Sequence, residues 1–390
     1  MKLLPFPAFF AAWLWVVAGA AHADNLMSVW RAAQQRDPAY LAARQTMQLA
    51  QQRASITPLE LARDRFRMAE QELALRVANA YFKALSARHT SELALAQLNA
   101  MAQQLRLAER AAESSPSLAT DAREARWRFD AARVDRVAAT RELEMRQAEL
   151  HKVVGRSPGA LEGLRADAPL WSPDPPDAAF WVSLANEDHP RVRLQKSALE
   201  AAVVEVMRRR DGDNSVPSVD FTANRRRIFT DGSLSSPAET QIRSRAAHLG
   251  LVLTVPLADT GPDSRVREAL TLQERQEAEL QAARSQAAQQ ARQAFAGVTQ
   301  ALARTDVLAD SARKARAVLD AAVQAGLRAG ARFRTDTLNA VQVLYTAERD
   351  WFTSRVDALL QGLQLKAAAG SLEERDIARL NGLLASQKLP

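Results

Sequence analysis

The sequence predicts a mostly α-helical protein, built from very long helices in two tandem repeats, with one β-hairpin in the second repeat. Glycine and proline are scarce, at 14 and 16 of 390 residues, and their uneven placement leaves a few long uninterrupted segments. Two distant parts of the chain match each other at a constant spacing, which indicates an internal duplication. Two segments of alternating apolar and polar residues indicate the hairpin.

The first residues are typical of a secretory signal peptide. Lys2 supplies a basic start, residues 9–20 form an apolar core, and residues 21–23 form a small-x-small cleavage site. We therefore expect residues 1–23 to be removed and the mature chain to begin at Asp24. An uncleaved membrane anchor is the alternative, but the apolar core is short for a spanning helix and a cleavage site follows it.

A very long first helix is predicted between Thr57 and about residue 113. Residues 59–154 contain no glycine and a single proline. Thr57 suits the N-cap, Pro58 suits the first helical position, and Glu60 completes a capping box. At 1.5 Å per residue this helix is on the order of 80 Å long, which exceeds the diameter of an ordinary domain.

Small and apolar residues recur along the predicted helices at spacings of three and four, which favours narrow stripes that pack against other helices. One stripe comprises Leu95, Leu98, Ala102 and Leu105, and a later one comprises Leu308, Ala312, Ala315, Leu319 and Ala322. The many alanines allow close approach of neighbouring helices. A generic helical bundle needs the same stripes, so this pattern does not distinguish a bundle from a coiled coil.

The two halves of the chain resemble each other. The segment "SLATDAREARWRFDAA" matches "RFRTDTLNAVQVLYTA", and "LHKVVGRSPGAL" matches "LKAAAGSLEERDI". Asp121 and Asp336 lie 215 residues apart, and so do Gly155 and Gly370. A constant offset of this kind indicates repeated supersecondary units.

The offset changes near the start of each repeat. Pro38 and Pro190 lie 152 residues apart, so the second copy holds 63 residues that the first lacks, around residues 211–275. The predicted organisation is a signal peptide at 1–23, a first helical repeat without a hairpin at 24–163, a Pro-rich linker at 164–183, and a second helical repeat at 184–386.

The additional residues contain the predicted β-hairpin, at about 216–258. Apolar residues alternate with polar ones in "SVDFTANRRRIF" and in "HLGLVLTVPL", and the intervening "TDGSLSSPAET" is polar and rich in turn formers. Segments of about ten alternating residues in an exported protein favour strands of a transmembrane barrel. A half-buried hairpin of a soluble protein is the alternative.

The composition excludes several classes of function. Cysteine is absent, which rules out disulfides, thiolate metal sites, a thiol nucleophile and a lipidated cysteine. The five histidines are scattered, and there is no phosphate loop, nucleophile elbow or dinucleotide fingerprint. We therefore predict no enzyme activity, cofactor or metal site. The net charge of +7 suggests nucleic-acid binding, but arginines spread along the helices of an exported protein favour solvated helix faces instead.

Taken together, these features resemble the TolC family of outer-membrane efflux and secretion channels. The most specific segments are "QAGLRAGARFRTDTLNAVQVLYTAERDW" at 324–351 and "AAAGSLEERDIARLNGLL" at 367–384. The resemblance implies a homotrimer in which antiparallel coiled-coil helical hairpins form a periplasmic tube and each chain gives four strands to an outer-membrane β-barrel. It also implies contact with outer-membrane lipid, a periplasmic adaptor protein and an inner-membrane transporter, either ABC-type or proton-driven.

The resemblance assigns a role to the break near residues 326–340, as the helix turn that closes the tube at its periplasmic tip. Arg332 aligns with an arginine that ties neighbouring helices together, and Asp121 aligns with its acidic partner. Asp336 aligns with the first of two aspartates that ring the aperture, whereas Asn339 stands where the second is expected. This substitution predicts weaker cation selectivity, because a ring of carboxylates favours cations.

The same aspartates have a simpler interpretation. Asp121 and Asp336 each follow a turn containing proline or glycine, so they suit helix N-termini as capping residues. Capping and gating are compatible, and the sequence does not choose between them.

The chain departs from the family in lacking the hairpin of the first repeat. Three copies with two strands each supply six strands, fewer than the eight of small outer-membrane barrels. Three interpretations therefore stand: a conduit for type I protein secretion or multidrug efflux that closes its barrel with more copies or another chain, a truncated non-conducting family member, and a soluble periplasmic coiled-coil adaptor or scaffold. The exported substrate is either a polypeptide or a small drug.

Overall fold

The computed structural model describes residues 24–52, 56–114, 119–157, 159–210, 218–225, 247–254, 262–329 and 334–385. The predicted signal peptide, the hairpin loop and Arg332 lie outside the described residues. The described chain forms two compact units, one of residues 195–282 and the other of the remainder on either side of it.

Helices dominate the described residues, as the sequence predicts. In chain order the elements are α1 (Leu26–Gln34), α2 (Pro38–Gln52), α3 (Ile56–Ser114), α4 (Ala119–Val154), β1 (Gly163–Leu164), α5 (Ala178–Asp188), α6 (Pro190–Arg210), β2 (Ser218–Arg225), β3 (Ala247–Thr254), α7 (Pro262–Ala329), α8 (Arg334–Ala368), α9 (Glu374–Asn381) and β4 (Leu384–Ala385).

Helix α3 confirms the long first helix but corrects its start. It contains 59 residues, or about 88 Å at 1.5 Å per residue, and it ends one residue beyond the predicted boundary. It begins at Ile56, so Thr57 lies inside the first turn instead of at the N-cap. Pro58 is still accommodated, because amide groups of the first turn have no helical acceptor to lose.

Helices α3 and α4 run antiparallel and pack through a seam of seven-residue period. Arg126 pairs with Glu109 near their connection, and Arg136 bonds the carbonyl of Ser91 at 3.1 Å farther along. The buried positions of the seam are Ala87, Ser91, Ala94, Met101, Leu105 and Ala108 on α3, and Ala125, Ala132 and Ala139 on α4. This is the spacing of a coiled coil, with alanine permitting close approach.

The predicted stripe on α3 is half correct. Leu98 and Leu105 pack into the seam, whereas Leu95 is 43% exposed and Ala102 is only partly covered. Ala94 and Met101 occupy the seam in their place. The observed seam therefore differs from the predicted stripe by one residue at two of its four positions.

Helices α7 and α8 form a second antiparallel pair, and the predicted stripe on α7 lies between them. Ala312, Ala315 and Leu319 of α7 cluster with Leu344 and Ala347 of α8. Farther from the α7–α8 connection, the hydroxyls of Thr305 and Ser354 share a buried 2.8 Å hydrogen bond. The two long helical hairpins in this unit thus use the same mode of packing.

The start of the predicted mature chain is held in a buried network. Tyr81 of α3 donates to the carbonyls of Asp24 and Glu162, both at 3.1 Å, and burial raises the pKa of its hydroxyl. Burial also acts to raise the pKa of Asp24, but hydrogen bonds from Arg156 and Gly159 outweigh it and keep that pKa below its ordinary value. This network fixes the first residues against α3 and the segment after α4.

Equivalent positions of the two proposed repeats have equivalent conformations. Pro38 begins α2 and Pro190 begins α6. Gly155 follows α4 with φ of 74°, and Gly370 follows α8 with φ of 72°. A side chain is strained at such positive angles, so glycine is required where these helices end. The domain boundaries themselves stay a prediction.

Strands β2 and β3 form an antiparallel pair with the alternation that the sequence predicts. The partners are Val219 with Leu253, Phe221 with Leu251, and Ala223 with Leu249. The register therefore pairs apolar residues of one strand with apolar residues of the other. Strand β1 pairs separately with β4.

Overpacking of the α7–α8 seam tests how closely these helices approach. We expect Ala315→Leu to lower the free energy of unfolding by about 1–3 kcal/mol, because Ala315 is buried in the seam. Exposed Ala303 of the same helix is the matched control, and Ala303→Leu should change stability by less than about 0.5 kcal/mol. Urea denaturation followed by helical circular dichroism measures both, and equal effects would contradict the close seam.

Candidate functional site

The N-terminal turns of α4 and α8 carry the predicted site residues. Asp121 and Asp336 are each the third residue of their helices, α4 and α8, so the prediction that they occupy the N-cap position is wrong. Both lie in the first turn, and Asp336 is exposed. Carboxylates in these positions interact favourably with the helix dipole. Arg332 lies outside the described residues, so its predicted pairing with Asp121 stays a prediction.

Asn339 makes a contact that the sequence did not predict. Its side-chain oxygen accepts a hydrogen bond of 2.6 Å from Nη1 of Arg128, which belongs to α4. Arg128 also donates from Nη2 and Nε to one oxygen of Glu124, at 2.7 and 3.1 Å. The guanidinium therefore bridges α4 and α8 close to their N-terminal ends.

The Arg128 side chain is largely covered, with 12% of its surface exposed. Its near neighbour Arg126 is 67% exposed and pairs with Glu109 of α3 at 3.2 Å. The two arginines thus differ in burial and in the helix that they contact. The spacing of Glu124 and Arg128 is a sequence signal for an intrahelical ion pair, but nothing in it identifies the contact with α8.

A hydrophobic cluster lies beside this polar contact and joins three helices. Its buried members are Met101, Leu105 and Ala108 of α3, Ala125 and Ala132 of α4, and Leu338 and Val341 of α8. Leu338 and Val341 flank Asn339 in sequence. The N-terminal part of α8 is therefore held by both apolar packing and the Arg128 bridge.

Farther along, His89 of α3 stacks on Phe352 of α8 with ring centroids 4.0 Å apart and an angle of 28° between the planes. Burial lowers the pKa of His89, and Arg88 adds to that effect. Glu92 of α3 and Glu348 of α8 oppose it without reversing it. The neutral imidazole is accordingly the form that suits this α3–α8 contact.

A second stripe on α4 faces away from its seam with α3. Trp127 and Val134 are 67% and 68% exposed, and Met145 is also exposed. Together with Ala131, Ala138 and Arg141 they recur at spacings of four and three, as the buried seam does. Helix α7 likewise exposes Val307 and Val318. Exposed apolar stripes of this regularity mark faces that associate with other helices.

The described part of the chain also bears on membrane spans and metal sites. No helix there combines the length and the apolar character needed to cross a membrane. No cluster of three or more potential metal ligands occurs in that part of the chain.

Comparison with known proteins gives concordant results. The sequence profile of a family described as outer membrane efflux protein matches residues 181–371. The alkaline protease secretion protein AprF of Pseudomonas aeruginosa is 27% identical over 350 residues, which cover 87% of this chain and 69% of AprF. The outer membrane protein TolC of Escherichia coli is 24% identical over 328 residues, covering 81% of this chain and 65% of TolC.

Solved structures show the same fold. The open state of the MtrE outer membrane channel of Neisseria gonorrhoeae superposes with a TM-score of 0.59 at 16% identity, covering 90% of each chain. The CmeC outer membrane channel of Campylobacter jejuni gives a TM-score of 0.60 at 12% identity, covering 94% of this chain and 91% of that one.

The His89 contact predicts a pH dependence of stability. Because the pKa of His89 is lower in the folded protein than in the unfolded chain, the unfolded chain takes up the proton first as pH falls. The stacked contact should therefore contribute fully at pH values above the ordinary histidine pKa of about 6.5, and its contribution should fall over the pH interval below that value. Thermal unfolding of His89→Gln should show a smaller loss over this interval than the unsubstituted protein. The same substitution at exposed His151 serves as the control, and identical pH profiles for all three proteins would refute the prediction.

Proposed function

We propose, since this chain belongs to the TolC family of outer-membrane efflux proteins, that it forms the outer-membrane channel of a tripartite export system. In this proposal the channel is a passive conduit, gated at its periplasmic end, and the inner-membrane transporter supplies the energy. Most of the chain lies in the periplasm, with the β2–β3 hairpin at the outer membrane.

The second stripe on α4 is the observation that carries the proposal. The seams between α3 and α4 and between α7 and α8 are satisfied within one chain, yet α4 presents a further apolar stripe to solvent and α7 exposes Val307 and Val318. Joining the α4 stripe of one copy to the exposed valines on α7 of the next gives a head-to-tail interface, which closes into a ring when the rotation allows. A homotrimer arranged in this way encloses a helical wall of the type found in the family.

The hairpin supports a location at the outer membrane. Its register pairs apolar residues with apolar residues at alternate positions, which is the pattern expected of lipid-facing strands. Each strand of the pair has one edge without a partner in the described chain, and such edges must be paired within lipid. Strands from other copies, or from another chain, must therefore complete the barrel.

The first repeat cannot supply those strands. Helix α2 ends at Gln52 and α3 begins at Ile56, so three residues connect them, whereas 51 residues connect α6 to α7. Three copies would bring six strands, so a closed barrel needs additional copies or a second channel protein. If no partner supplies them, the chain is a truncated family member that does not conduct.

The partners and cargo follow the family in outline. A periplasmic adaptor protein and an ABC or proton-driven inner-membrane transporter complete the system. The names of AprF and of the Dickeya chrysanthemi proteases secretion protein PrtF, which is 26% identical to this chain over 348 residues, favour a secreted polypeptide as cargo. Small drugs are the alternative.

The proposed gate comprises Asp121, Arg332, Asp336 and Asn339. The exposed position of Asp336 suits a carboxylate that rings an aperture. Asn339 is neutral and already accepts a hydrogen bond from Arg128, so each chain offers fewer carboxylates to the ring than a chain with two aspartates. Exposed ion pairs contribute modest energies each, which suits a closure that must open.

A soluble periplasmic scaffold is the second candidate, favoured by the three-residue connection between α2 and α3. Membrane fractionation distinguishes the candidates. The channel proposal predicts extraction from outer membranes with detergent, as an oligomer that conducts in planar bilayers. Release with the soluble periplasmic contents as a non-conducting species would establish the scaffold instead.

Substitution in the α4 stripe tests the assembly. We expect Val134→Glu to shift the detergent-solubilised protein from oligomer to monomer, because it places a charge in the centre of the apolar stripe. Gln147→Glu adds the same charge at an exposed position of the same helix and should leave the oligomer intact. Mass photometry or light scattering gives the result, and an oligomeric Val134→Glu protein would contradict the proposed interface.

Substitution of Asp121 or Arg332 tests the gate. We expect Asp121→Ala and Arg332→Ala to raise the single-channel conductance in planar bilayers several-fold, because each removes one side of a pair that holds the aperture closed. Asp130→Ala, at an exposed position of α4, is the control and should leave conductance unchanged. Loss of folding without any conducting species would instead limit Asp121 to stabilising the N-terminal turn of α4.

A further inference from the structure

We infer that Arg128 is a positioning residue of the gate, which holds the end of α8 against α4 and so keeps the aperture narrow. This inference rests on the proposed channel function. Arg128 was not among the gate residues that the resemblance supplied, and its assignment comes from the contacts described above. The group of Arg128, Glu124 and Asn339 is called the α4–α8 clasp.

The geometry of the clasp assigns a separate task to each member. Glu124 lies one helical turn before Arg128 on α4 and accepts hydrogen bonds from both Nε and Nη2 with a single oxygen. That arrangement fixes the plane of the guanidinium and directs Nη1 toward α8. Asn339 receives Nη1 at 2.6 Å. Glu124 therefore orients the arginine, and Arg128 makes the contact between helices.

The burial of Arg128 shows that the clasp is part of the helix packing. The Arg128 side chain is 12% exposed, whereas its bond to Asn339 lies at the exposed edge of the contact. Loss of Asn339 therefore removes one partner of a mostly covered guanidinium that still bonds Glu124. Leu338 and Val341, on either side of Asn339, are buried in the cluster shared with α3 and α4. Displacement of α8 from α4 must therefore break the Arg128 bond and uncover these two side chains together.

The clasp also accounts for the chemistry of position 339. The side-chain oxygen of Asn339 is engaged with Arg128, so the residue serves as an acceptor inside the chain. A hydrogen bond from arginine to a neutral amide is weaker than a bond to a carboxylate, so this contact separates more easily than a full ion pair. An aperture that has to open in use is better served by the weaker bond.

The experiment compares Arg128→Met with Arg126→Met, because methionine retains much of the apolar stem and both arginines lie on the same helix. We expect Arg128→Met to raise the conductance of the closed channel several-fold and to speed amide hydrogen exchange in residues 336–345 by about tenfold. Arg126→Met should change each quantity less than twofold, since Arg126 contacts α3 instead of α8.

A variant that strengthens the contact with Arg128 should change amide exchange and conductance in the opposite direction. Asn339→Asp supplies a carboxylate to Arg128 and should slow exchange in the same residues and lower the closed-state conductance. The double variant Arg128→Met with Asn339→Asp should lose both effects. The single variant Asn339→Asp retains Arg128, so it tests the clasp even if Arg128→Met folds poorly.

The outcomes separate this inference from the function on which it rests. If the unsubstituted protein conducts and Arg128→Met behaves like Arg126→Met, the clasp has no role in the gate. Faster exchange without a change in conductance would likewise overturn that role and leave a purely structural contact. If the unsubstituted protein never conducts, the channel proposal fails, whereas the exchange measurements still report whether the clasp holds α8.

Discussion

The seven-residue spacing of small buried side chains is the constraint on which the rest of this structure depends. Alanine fills most of the seam positions on α4 and much of the seam on α3 and α7. An alanine buries little area, so each position contributes little, and the stability of a helix pair must come from its length and its closely packed backbones. A seam composed largely of alanine therefore needs a long helix, and α3 has 59 residues.

Thin seams have a second consequence, because they leave most of each helix surface free. Helix α4 packs against α3 through one stripe of residues. It presents a second stripe, which includes Trp127 and Val134, to solvent. The β2–β3 hairpin is in the same situation, since its outer edges have no partners in the described chain. In the proposed channel both elements are completed by other chains, so the proposed oligomerisation follows from the same packing rule as the fold.

The sequence predicts those parts of the fold that depend on local pattern. The end of α3, the stripe around Ala315 and the alternation of β2 and β3 all follow from periodicity and turn residues. Periodicity alone could not place the α3 seam, because the predicted stripe and the observed seam share Leu98 and Leu105. They differ by one residue at the other two positions, where the seam uses Ala94 and Met101. The apolar character of Leu95 favours the wrong one, and alanine carries too little hydrophobic signal to correct it.

The site shows the same limit in a different form. The match between the repeats relates Asp121 to Asp336, and the resemblance to the family adds Asn339. The bond between Arg128 and Asn339 joins residues 211 positions apart, and it depends on how closely α4 approaches α8. No local sequence pattern encodes the distance between these two helices.

Within the proposed channel, the energy of closure follows from these contacts: burial of Leu338 and Val341 contributes about 1.5–3 kcal/mol each, and the Arg128 bond contributes about 1.5–3 kcal/mol. Because these terms are comparable, no single contact determines closure. A partner that moves α8 has to overcome several kcal/mol per chain, which is within the range of an ordinary protein–protein contact.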